Sequence, residues 1–231
     1  MCPEGFYASD KSKSCLSVCD LGTYGENVTN KCLKTCPTGT YADDFLRLCV
    51  SSCDAGRMEF KDWSTQRCVK VCPSVPSLYA QNSSRSCVAA CGVGWYGLNT
   101  TRICTQNCPA PFYADPTTGF CELKCHIGTD RFADNVSRSC VVNCPNYTEP
   151  VTNVFVITYE DNSTKTCVKQ CPFFPSLYGF NSTNACVEDC PSGTFGDNDT
   201  RLCLDKCFWN VTFNNQQKFT WADSATGFCT R

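Results

Sequence analysis

The stretch CPTGTYADDFLRLCVSSC at residues 36–53 contains every element of the pattern that organises this chain. Cys36 opens a loop, Cys49 closes it, and a spacer of three residues separates that closing cysteine from the one that opens the next loop. Counted back from the closing cysteine, Tyr41 stands at position −8 and Asp44 at position −5. Because the same arrangement returns along the chain, the repeat as a whole decides the fold.

Twenty-four cysteines carry this arrangement over the whole of residues 1–231. They alternate between a loop of variable length and the fixed spacer C-x3-C. A repeat without interruption indicates one continuous tandem array rather than a set of separate domains. The twelve loops run between Cys2 and Cys15, Cys19 and Cys32, Cys36 and Cys49, Cys53 and Cys68, Cys72 and Cys87, Cys91 and Cys104, Cys108 and Cys121, Cys125 and Cys140, Cys144 and Cys167, Cys171 and Cys186, Cys190 and Cys203, and Cys207 and Cys229.

Two disulfide schemes use all 24 cysteines, and sequence alone does not decide between them. One scheme closes each loop on itself, so that each pair named above is a disulfide. The other interlocks neighbouring loops, first cysteine to third and second to fourth. Self-closure is favoured because loops with 12 to 22 intervening residues can then change length independently, and because the chain starts one residue before an opening cysteine.

Composition restricts the classes of protein to which the chain can belong. With 24 cysteines in 231 residues and a single histidine, it has the composition of a disulfide scaffold, which indicates an oxidising, extracellular or cell-surface environment. The net charge of −2 offers no basic surface for nucleic acid. No apolar run is long enough to span a bilayer, so membrane insertion of this segment is not expected.

The last nine residues of every loop share one register. Position −3 is Ser or Thr in eleven loops, Leu46 being the exception, and position +1 is mostly Leu or Val. Aromatic and β-branched residues suit strands, while Asn, Asp and Gly suit a turn, so each ending predicts a β-hairpin in which the residue at +1 packs against the aromatic residue at −8. Position −8 is aromatic in all twelve loops: Tyr7, Tyr24, Tyr41, Phe60, Tyr79, Tyr96, Tyr113, Phe132, Tyr159, Tyr178, Phe195 and Trp221.

Each loop alone is too small to bury a core. Stability must come from its disulfide, worth about 3 kcal/mol for a loop of 15 residues, and from stacking on its neighbours. The expected fold class is therefore a small disulfide-rich protein, all-β and irregular: a linear rod of twelve stacked, disulfide-closed β-hairpin loops without a central core.

Nine Asn-x-Ser/Thr triplets make N-glycosylation the expected modification. Seven lie at position −5, where a turn-forming role alone would also explain the asparagine; the tip of a hairpin in a secreted chain is nevertheless accessible to a glycosyltransferase. Beyond these glycans no cofactor is expected. The nine asparagines are Asn27, Asn82, Asn99, Asn135, Asn146, Asn162, Asn181, Asn198 and Asn210.

Catalytic and metal-binding patterns find little support. The only histidine, His126, cannot assemble a triad or a multi-histidine metal site by itself, and alternating C-x3-C spacers are not zinc-ligand spacing. The string DNDT at 197–200 lacks the glycine and glutamate of a calcium loop. The carboxylates of Asp43 and Asp44 are expected at a hairpin tip with no apolar pocket to tune them, so the chain is not expected to be an enzyme.

The segments at 36–53 and 190–207, CPTGTYADDFLRLCVSSC and CPSGTFGDNDTRLCLDKC, resemble the furin-like, growth-factor-receptor-type cysteine-rich repeats, including those of surface proteins of ciliated protists. The resemblance covers the whole chain and implies a disulfide-rich extracellular rod without catalysis. Two departures are the long loops 144–167 and 207–229. A third is the missing proline at Asp20, Asp54, Gly92, His126 and Phe208.

Two functions follow as expectations. The first is an extracellular structural glycoprotein that forms a head-to-tail rod or fibril. Joining the end of the chain to its start writes C-T-R-M-C, the missing twelfth spacer. The 231 residues are therefore expected to be one period of a longer tandem array or a subunit whose ends abut head to tail, with residue 231 of one copy next to residue 1 of the next. The alternative is the ectodomain of a receptor, adhesin or surface antigen that binds a protein or glycan through apolar residues in the long loops, at 154–159 and 208–213.

Overall fold

The computed structural model describes residues 2–125, 130–207, 211–213, 216–218 and 220–230. These residues form 28 short β-strands and no helix, and therefore no helix that could cross a membrane. Almost every strand is three residues long and belongs to a hairpin closed by a disulfide. The all-β, disulfide-rich fold class predicted from the repeat is confirmed.

The chain forms two compact units. The first comprises Met1–Cys108 with Thr118–Cys121, and the second comprises Pro109–Thr117 with Glu122–Arg231. The seventh loop thus contributes residues to each unit.

The first unit contains six antiparallel hairpins, each built from two consecutive strands. Their strands are β1 (Tyr7–Ser9), β2 (Ser14–Leu16), β3 (Tyr24–Glu26), β4 (Lys31–Leu33), β5 (Tyr41–Asp43), β6 (Leu48–Val50), β7 (Phe60–Asp62), β8 (Arg67–Val69), β9 (Tyr79–Gln81), β10 (Ser86–Val88), β11 (Tyr96–Leu98) and β12 (Ile103–Thr105).

The seventh loop supplies β13 (Tyr113–Asp115) and β14 (Phe120–Glu122), and the remaining strands belong to the second unit. These are β15 (Phe132–Asp134), β16 (Ser139–Val141), β17 (Tyr147–Thr148), β18 (Phe155–Val156), β19 (Tyr159–Asp161), β20 (Thr166–Val168), β21 (Tyr178–Phe180), β22 (Ala185–Val187), β23 (Phe195–Asp197), β24 (Leu202–Leu204), β25 (Val211–Phe213), β26 (Gln216–Lys218), β27 (Trp221–Asp223) and β28 (Phe228–Thr230).

The shared ending of the loops fixes the register of each hairpin. In β5 and β6, Tyr41 lies opposite Val50 and Asp43 lies opposite Leu48, which leaves a turn of four residues between positions −6 and −1. Position +1 therefore faces the aromatic residue at −8, as predicted. In the second unit, Val141 also packs against the small apolar cluster that contains Phe132.

Successive hairpins are joined by a parallel pairing. The first strand of one hairpin pairs with the second strand of the next, six times in the first unit and five times in the second. In the pairing of β3 with β6, for example, Gly25 lies opposite Leu48. Each hairpin therefore contributes one strand to each of its two neighbours within a unit, which is the stacking that the repeat predicts.

The last residue of every turn, at position −2, has a positive φ. Such a backbone usually requires glycine or asparagine, yet most of these residues are Arg, Lys or Gln. The cost is offset by the pairing between hairpins, because the carbonyl at −2 accepts a hydrogen bond of 2.7–2.9 Å from the N–H at position −7 of the preceding hairpin in all eleven junctions. The bond from Ala42 N to Gln66 O, 2.8 Å long, is an example.

Position −7 is small in most hairpins because an aromatic ring covers it. A Cβ atom at Gly25 would lie 2.7 Å from the ring of Tyr7, and one at Gly97 would lie 2.9 Å from the ring of Tyr79. Both rings belong to the preceding hairpin. The glycine or alanine that follows most of the aromatic residues thus permits the hairpins to approach each other.

Apolar residues form several small clusters in the described part of the chain. In one cluster Tyr24 packs against Cys36, Ala42 and Cys49 of the next hairpin. In another, Phe60 packs against a cluster that holds the next disulfide. The aromatic residue at −8 therefore covers the disulfide of the following loop, so each disulfide is part of a core shared by two hairpins.

All twelve disulfides join the two cysteines of one loop, with Cα–Cα distances of 5.5–5.7 Å. This is the self-closed scheme, and no cysteine is left free. The two long loops keep the common ending. Each carries its extra length as a second hairpin placed before that ending, β17 with β18 in one loop and β25 with β26 in the other.

Candidate functional site at the hairpin tips

The seven asparagines at position −5 each open the turn of a hairpin and are exposed to solvent. Asn146 is also exposed and directly precedes β17. Asn210 and His126 lie outside the described residues. The structure thus presents eight of the nine candidate glycosylation sites at the surface.

A carboxylate at position −6, buried in most cases, holds the turn in eight of the twelve loops, four of which have asparagine at −5. Asp161, 1% exposed, accepts hydrogen bonds from the N–H and hydroxyl groups of Ser163 and from the hydroxyl group of Thr164. Equivalent bonds from turn residues reach Glu26, Asp43, Asp62, Asp115, Asp134, Asp197 and Asp223.

This carboxylate explains why Ser or Thr occupies position −3 even in loops without an asparagine. The residue lies in the turn rather than in a strand, and its hydroxyl group donates to the carboxylate, as Thr65 does to Asp62 at 2.6 Å and Thr226 does to Asp223 at 2.8 Å. In the loops that have a carboxylate at −6, the Ser or Thr of the triplet therefore also serves the fold.

Hydrogen bonding lowers the pKa of two of these acids, Asp161 and Glu26. Burial raises the pKa of Asp161, but the bonds from Ser163 and Thr164 outweigh it and leave the pKa below its ordinary value. The hydroxyl group of Thr29, with the N–H groups of the turn, likewise lowers the pKa of Glu26. Asp161 and Glu26 are therefore charged acceptors at neutral pH and stabilise their turns.

The asparagine at −5 also links its hairpin to the preceding one. The phenol group of Tyr79 donates to Oδ1 of Asn99 at 2.5 Å, across 20 residues of sequence. We call this Tyr(−8)-to-Asn(−5) bond the latch. It occurs five times, between Tyr7 and Asn27, Tyr79 and Asn99, Tyr113 and Asn135, Tyr159 and Asn181, and Tyr178 and Asn198, at 2.5–2.6 Å.

Two of the seven asparagines have no latch because the preceding aromatic residue is phenylalanine. Asn82 follows Phe60, and Asn162 follows Phe132. A phenyl ring carries no hydroxyl group to donate. Oδ1 of Asn162 accepts instead from Nζ of Lys165 at 2.9 Å.

A cationic side chain at position −2 completes the junction. The guanidinium group of Arg102 lies 4.3 Å from the centroid of the Tyr79 ring, and its Nη2 donates to the carbonyl of Pro73 at 3.1 Å. Cations are attracted to the face of an aromatic ring, so this contact adds to the latch. Arg85, Arg138, Lys165 and Arg201 cover the aromatic ring of the preceding hairpin in the same way.

The junction at Asp43 and Asp44 differs from the others. Asp44 takes the place of asparagine, accepts from the Tyr24 hydroxyl group at 2.5 Å and pairs with Arg67 at 2.6 Å. Burial and this hydrogen bond raise the pKa of Tyr24. Asp43 is the last residue of β5, is buried and is paired with Arg57, so the expectation that both carboxylates lie at the hairpin tip is wrong for Asp43.

The string DNDT at 197–200 forms an ordinary turn of this kind, in which the carboxylate of Asp197 accepts from the N–H and hydroxyl groups of Thr200. Within the described ranges, no group of three or more His, Cys, Asp or Glu side chains is placed to hold a metal ion.

The additional hairpin of loop 144–167 exposes three apolar side chains. Val151 is 95% exposed and Phe155 is 62% exposed, with Val154 between them along the same segment. The ion pair between Lys169 and Glu149, 2.6 Å long, lies at the surface beside it. Side chains of residues 208–213 in the other long loop are outside the described part of the structure.

No protein-family model, curated protein or solved structure matches this chain. Its twelve disulfides are typical of proteins that fold in an oxidising environment outside the cytosol. Sequence reasoning found the turn and the asparagine at its start. It missed the carboxylate at −6 and the cation at −2, although acids at −6 in eight of the twelve loops were a visible signal.

Proposed function

We propose that this protein is an extracellular structural glycoprotein whose copies join head to tail into a rod or fibril, similar in kind to furin-like cysteine-rich repeat proteins. Catalysis is not part of this function. The observation that carries the proposal is the pair of complementary edges presented by β2 and β27.

The edge at β2 is open in the part of the chain that the structure describes. Each hairpin that follows another in its unit pairs with that preceding hairpin through its second strand. The strand β2 is also the second of its hairpin, but it pairs only with β1. Cys15 is accordingly exposed, while each of the other eleven closing cysteines is buried or half-buried. The carbonyl of Lys13, at the positive-φ position of this turn, is the acceptor that a preceding hairpin would use.

At β27 it is the first strand of a hairpin that lacks a partner from a following hairpin in the described part of the chain. Trp221 is 57% exposed, although the other eleven aromatic residues at −8 are buried or half-buried. Ala222, at position −7, is exposed as well. Its N–H is the donor that, in every other junction, bonds to the carbonyl at position −2 of the next hairpin.

These two edges are complementary, because they present the donor and the acceptor that form the eleven internal junctions. The N–H of Ala222 would donate to the carbonyl of Lys13 in a second copy, and the ammonium group of Lys13 would cover the indole ring of Trp221. Tryptophan is the best aromatic partner for a cation. A head-to-tail contact of this kind does not need to close, so it grows into a filament.

Exposed asparagines along the hairpin tips support the glycoprotein part of the proposal. Sugars at these positions would leave the parallel pairing between hairpins intact, because the pairing uses positions −7, −2 and −1 instead. The expected abutment of residues 231 and 1 falls on residues outside the described ones, so the contact proposed here is the one between β27 and β2.

Assembly of the protein secreted by a eukaryotic host tests the proposal. Sedimentation velocity and electron micrographs should show concentration-dependent filaments. Lys13→Glu should lower the assembly constant at least tenfold, since it places a carboxylate over the indole ring. Lys11→Glu, with the same change of charge two residues away in the same turn, should not. A monomer at every concentration, or equal effects of the two substitutions, would contradict the proposal.

A second candidate is the ectodomain of a receptor, adhesin or surface antigen that binds a protein or a glycan. The exposed Val151, Val154 and Phe155 on the β17–β18 hairpin favour it. If the secreted protein stays monomeric and binds a soluble partner that the double variant Val151→Ser, Phe155→Ser no longer binds, this second function replaces the first.

A further inference from the structure

The latch and the sugar use different atoms of the same asparagine. In the five latched residues Oδ1 accepts from tyrosine at 2.5–2.6 Å. Nδ2, the atom that carries an N-linked sugar, donates no hydrogen bond within the described residues, and the side chains are exposed. A glycan on Nδ2 therefore leaves the latch intact.

In three of the five, a second donor reaches the same oxygen. Nη1 of the arginine at −2 lies 3.4–3.5 Å from Oδ1 in the pairs Arg102 and Asn99, Arg138 and Asn135, and Arg201 and Asn198. The carboxamide oxygen is thus held by the tyrosine of the preceding hairpin and by the arginine of its own turn.

From this arrangement we propose that the protein carries two classes of N-glycan: those on latched asparagines resist enzymatic removal from the folded protein, and that on Asn82 does not. The inference rests on the proposed glycosylation and adds the group that regulates it. Tyr7, Tyr79, Tyr113, Tyr159 and Tyr178 are positioning residues in this account.

The chemistry of removal explains the effect. A peptide N-glycosidase adds water to Cγ of the asparagine and breaks the bond between Cγ and Nδ2; aspartate stays on the chain and the sugar leaves as a glycosylamine. Negative charge develops on Oδ1 during this addition, so the enzyme must bring its own donors to that oxygen. In a latched residue the tyrosine hydroxyl group already occupies the oxygen and must first be displaced.

Asn82 provides the internal comparison. It occupies the same position of the same turn, is exposed like the others, and follows Phe60, with Arg85 over the phenyl ring at 4.4 Å. The cationic contact is therefore present without the phenol group. Asn162 differs from Asn82, because its Oδ1 accepts a hydrogen bond from Lys165.

The test follows deglycosylation of the native glycoprotein by peptide N-glycosidase, site by site, as aspartate formation in peptide mass spectra. Losing one hydrogen bond of ordinary net strength corresponds to about a fivefold change in an equilibrium. Asn99 should therefore react about fivefold more slowly than Asn82. Tyr79→Phe should bring Asn99 to the rate of Asn82, and Phe60→Tyr should bring Asn82 to the rate of Asn99.

Tyr113→Phe is the matched control, since it removes the same hydroxyl group from a different junction and should leave Asn99 unchanged. After reduction and denaturation the rates at Asn99 and Asn82 should become equal. Sugars at both sites with equal rates on the folded protein, or no effect of Tyr79→Phe at Asn99, would overturn this inference alone. A chain without sugar at any of the five latched positions would overturn it together with the glycoprotein proposal.

Discussion

Loop 144–167 contains two hairpins of different kinds, and their difference shows what maintains this fold. The β19–β20 hairpin ends the loop with a disulfide, the buried Asp161 and parallel pairing to both neighbouring hairpins. The β17–β18 hairpin has two-residue strands paired only with each other and exposes Val151 and Phe155. The common ending supports the fold, and the segment before it can vary.

Removing the disulfide should have the largest effect on this comparison. Cys144→Ser with Cys167→Ser opens a loop whose closing cysteines are 23 residues apart and should lower the free energy of unfolding of this region by about 3 kcal/mol. Val151→Ser with Phe155→Ser, two substitutions to the same residue in the same loop, should leave it nearly unchanged. Protease sensitivity of the loop in rising urea measures both, and similar losses would show that the ending is not special.

The buried carboxylate gives the next largest effect. Asp161→Asn puts an amide donor against the donors Ser163 and Thr164 and should cost about 2 kcal/mol, as expected for hydrogen bonds to a buried charge. Glu149→Gln, the same chemical change in the β17–β18 segment, should have no measurable effect because its partner Lys169 is exposed. Chemical denaturation measures the pair, and a larger loss for Glu149→Gln would contradict the comparison.

Adding a methyl group where two hairpins approach closely should destabilise the fold less than the loss of the carboxylate. Gly97→Ala would place a Cβ atom against the rings of Tyr79 and Phe120, so it should destabilise this junction by about 1 kcal/mol or more. Gly92→Ala lies before the common ending, where its Cβ would meet only Gln81 at 3.7 Å. Equal thermal midpoints for the two variants would show that the ring does not limit position −7.

Lowering the pH should destabilise the hairpin endings less, and more gradually, than any of the substitutions above. The pKa of Asp161 and that of Glu26 are lowered in the folded protein, so their contribution to stability is present above the ordinary carboxyl range and is lost as pH falls below about 4, through the folded values. Urea unfolding at pH 7, 4, 3 and 2 checks this. The Asp161→Asn variant should lose part of the acid dependence, and an unchanged midpoint down to pH 2 would be inconsistent with it.

The hairpins and their register could be predicted from the sequence, because the closing cysteine, the aromatic residue and the turn recur together within nine residues. Val50 opposite Tyr41 follows from that local pattern. Contacts between hairpins were harder to predict. Arg102 has no intrinsic preference for a positive φ, and the groups that justify it, the Tyr79 ring and the N–H of Ala80, belong to the preceding hairpin.

The residues of the candidate site could be predicted from the sequence, but their contacts between hairpins could not. Asn99 was recognised as the first residue of a turn, and its exposure agrees with a modification site. Its bond to Tyr79 spans 20 residues, and a repeat read one loop at a time does not reveal a partner in the loop before. The residue type at −8 gives no signal for it either, because asparagine follows phenylalanine at Asn82 and Asn162.

Amide hydrogen exchange of the monomeric protein at neutral pH tests the central claim most directly, namely that each hairpin is joined to the next through the N–H at −7 and the carbonyl at −2. Ala42, Ala80 and Ala133 should exchange slowly, because their N–H groups donate to the next hairpin at 2.7–2.9 Å. Ala222, at the same position of the open β27 edge, should exchange fast. Equal exchange at Ala222 and Ala80 would contradict the account.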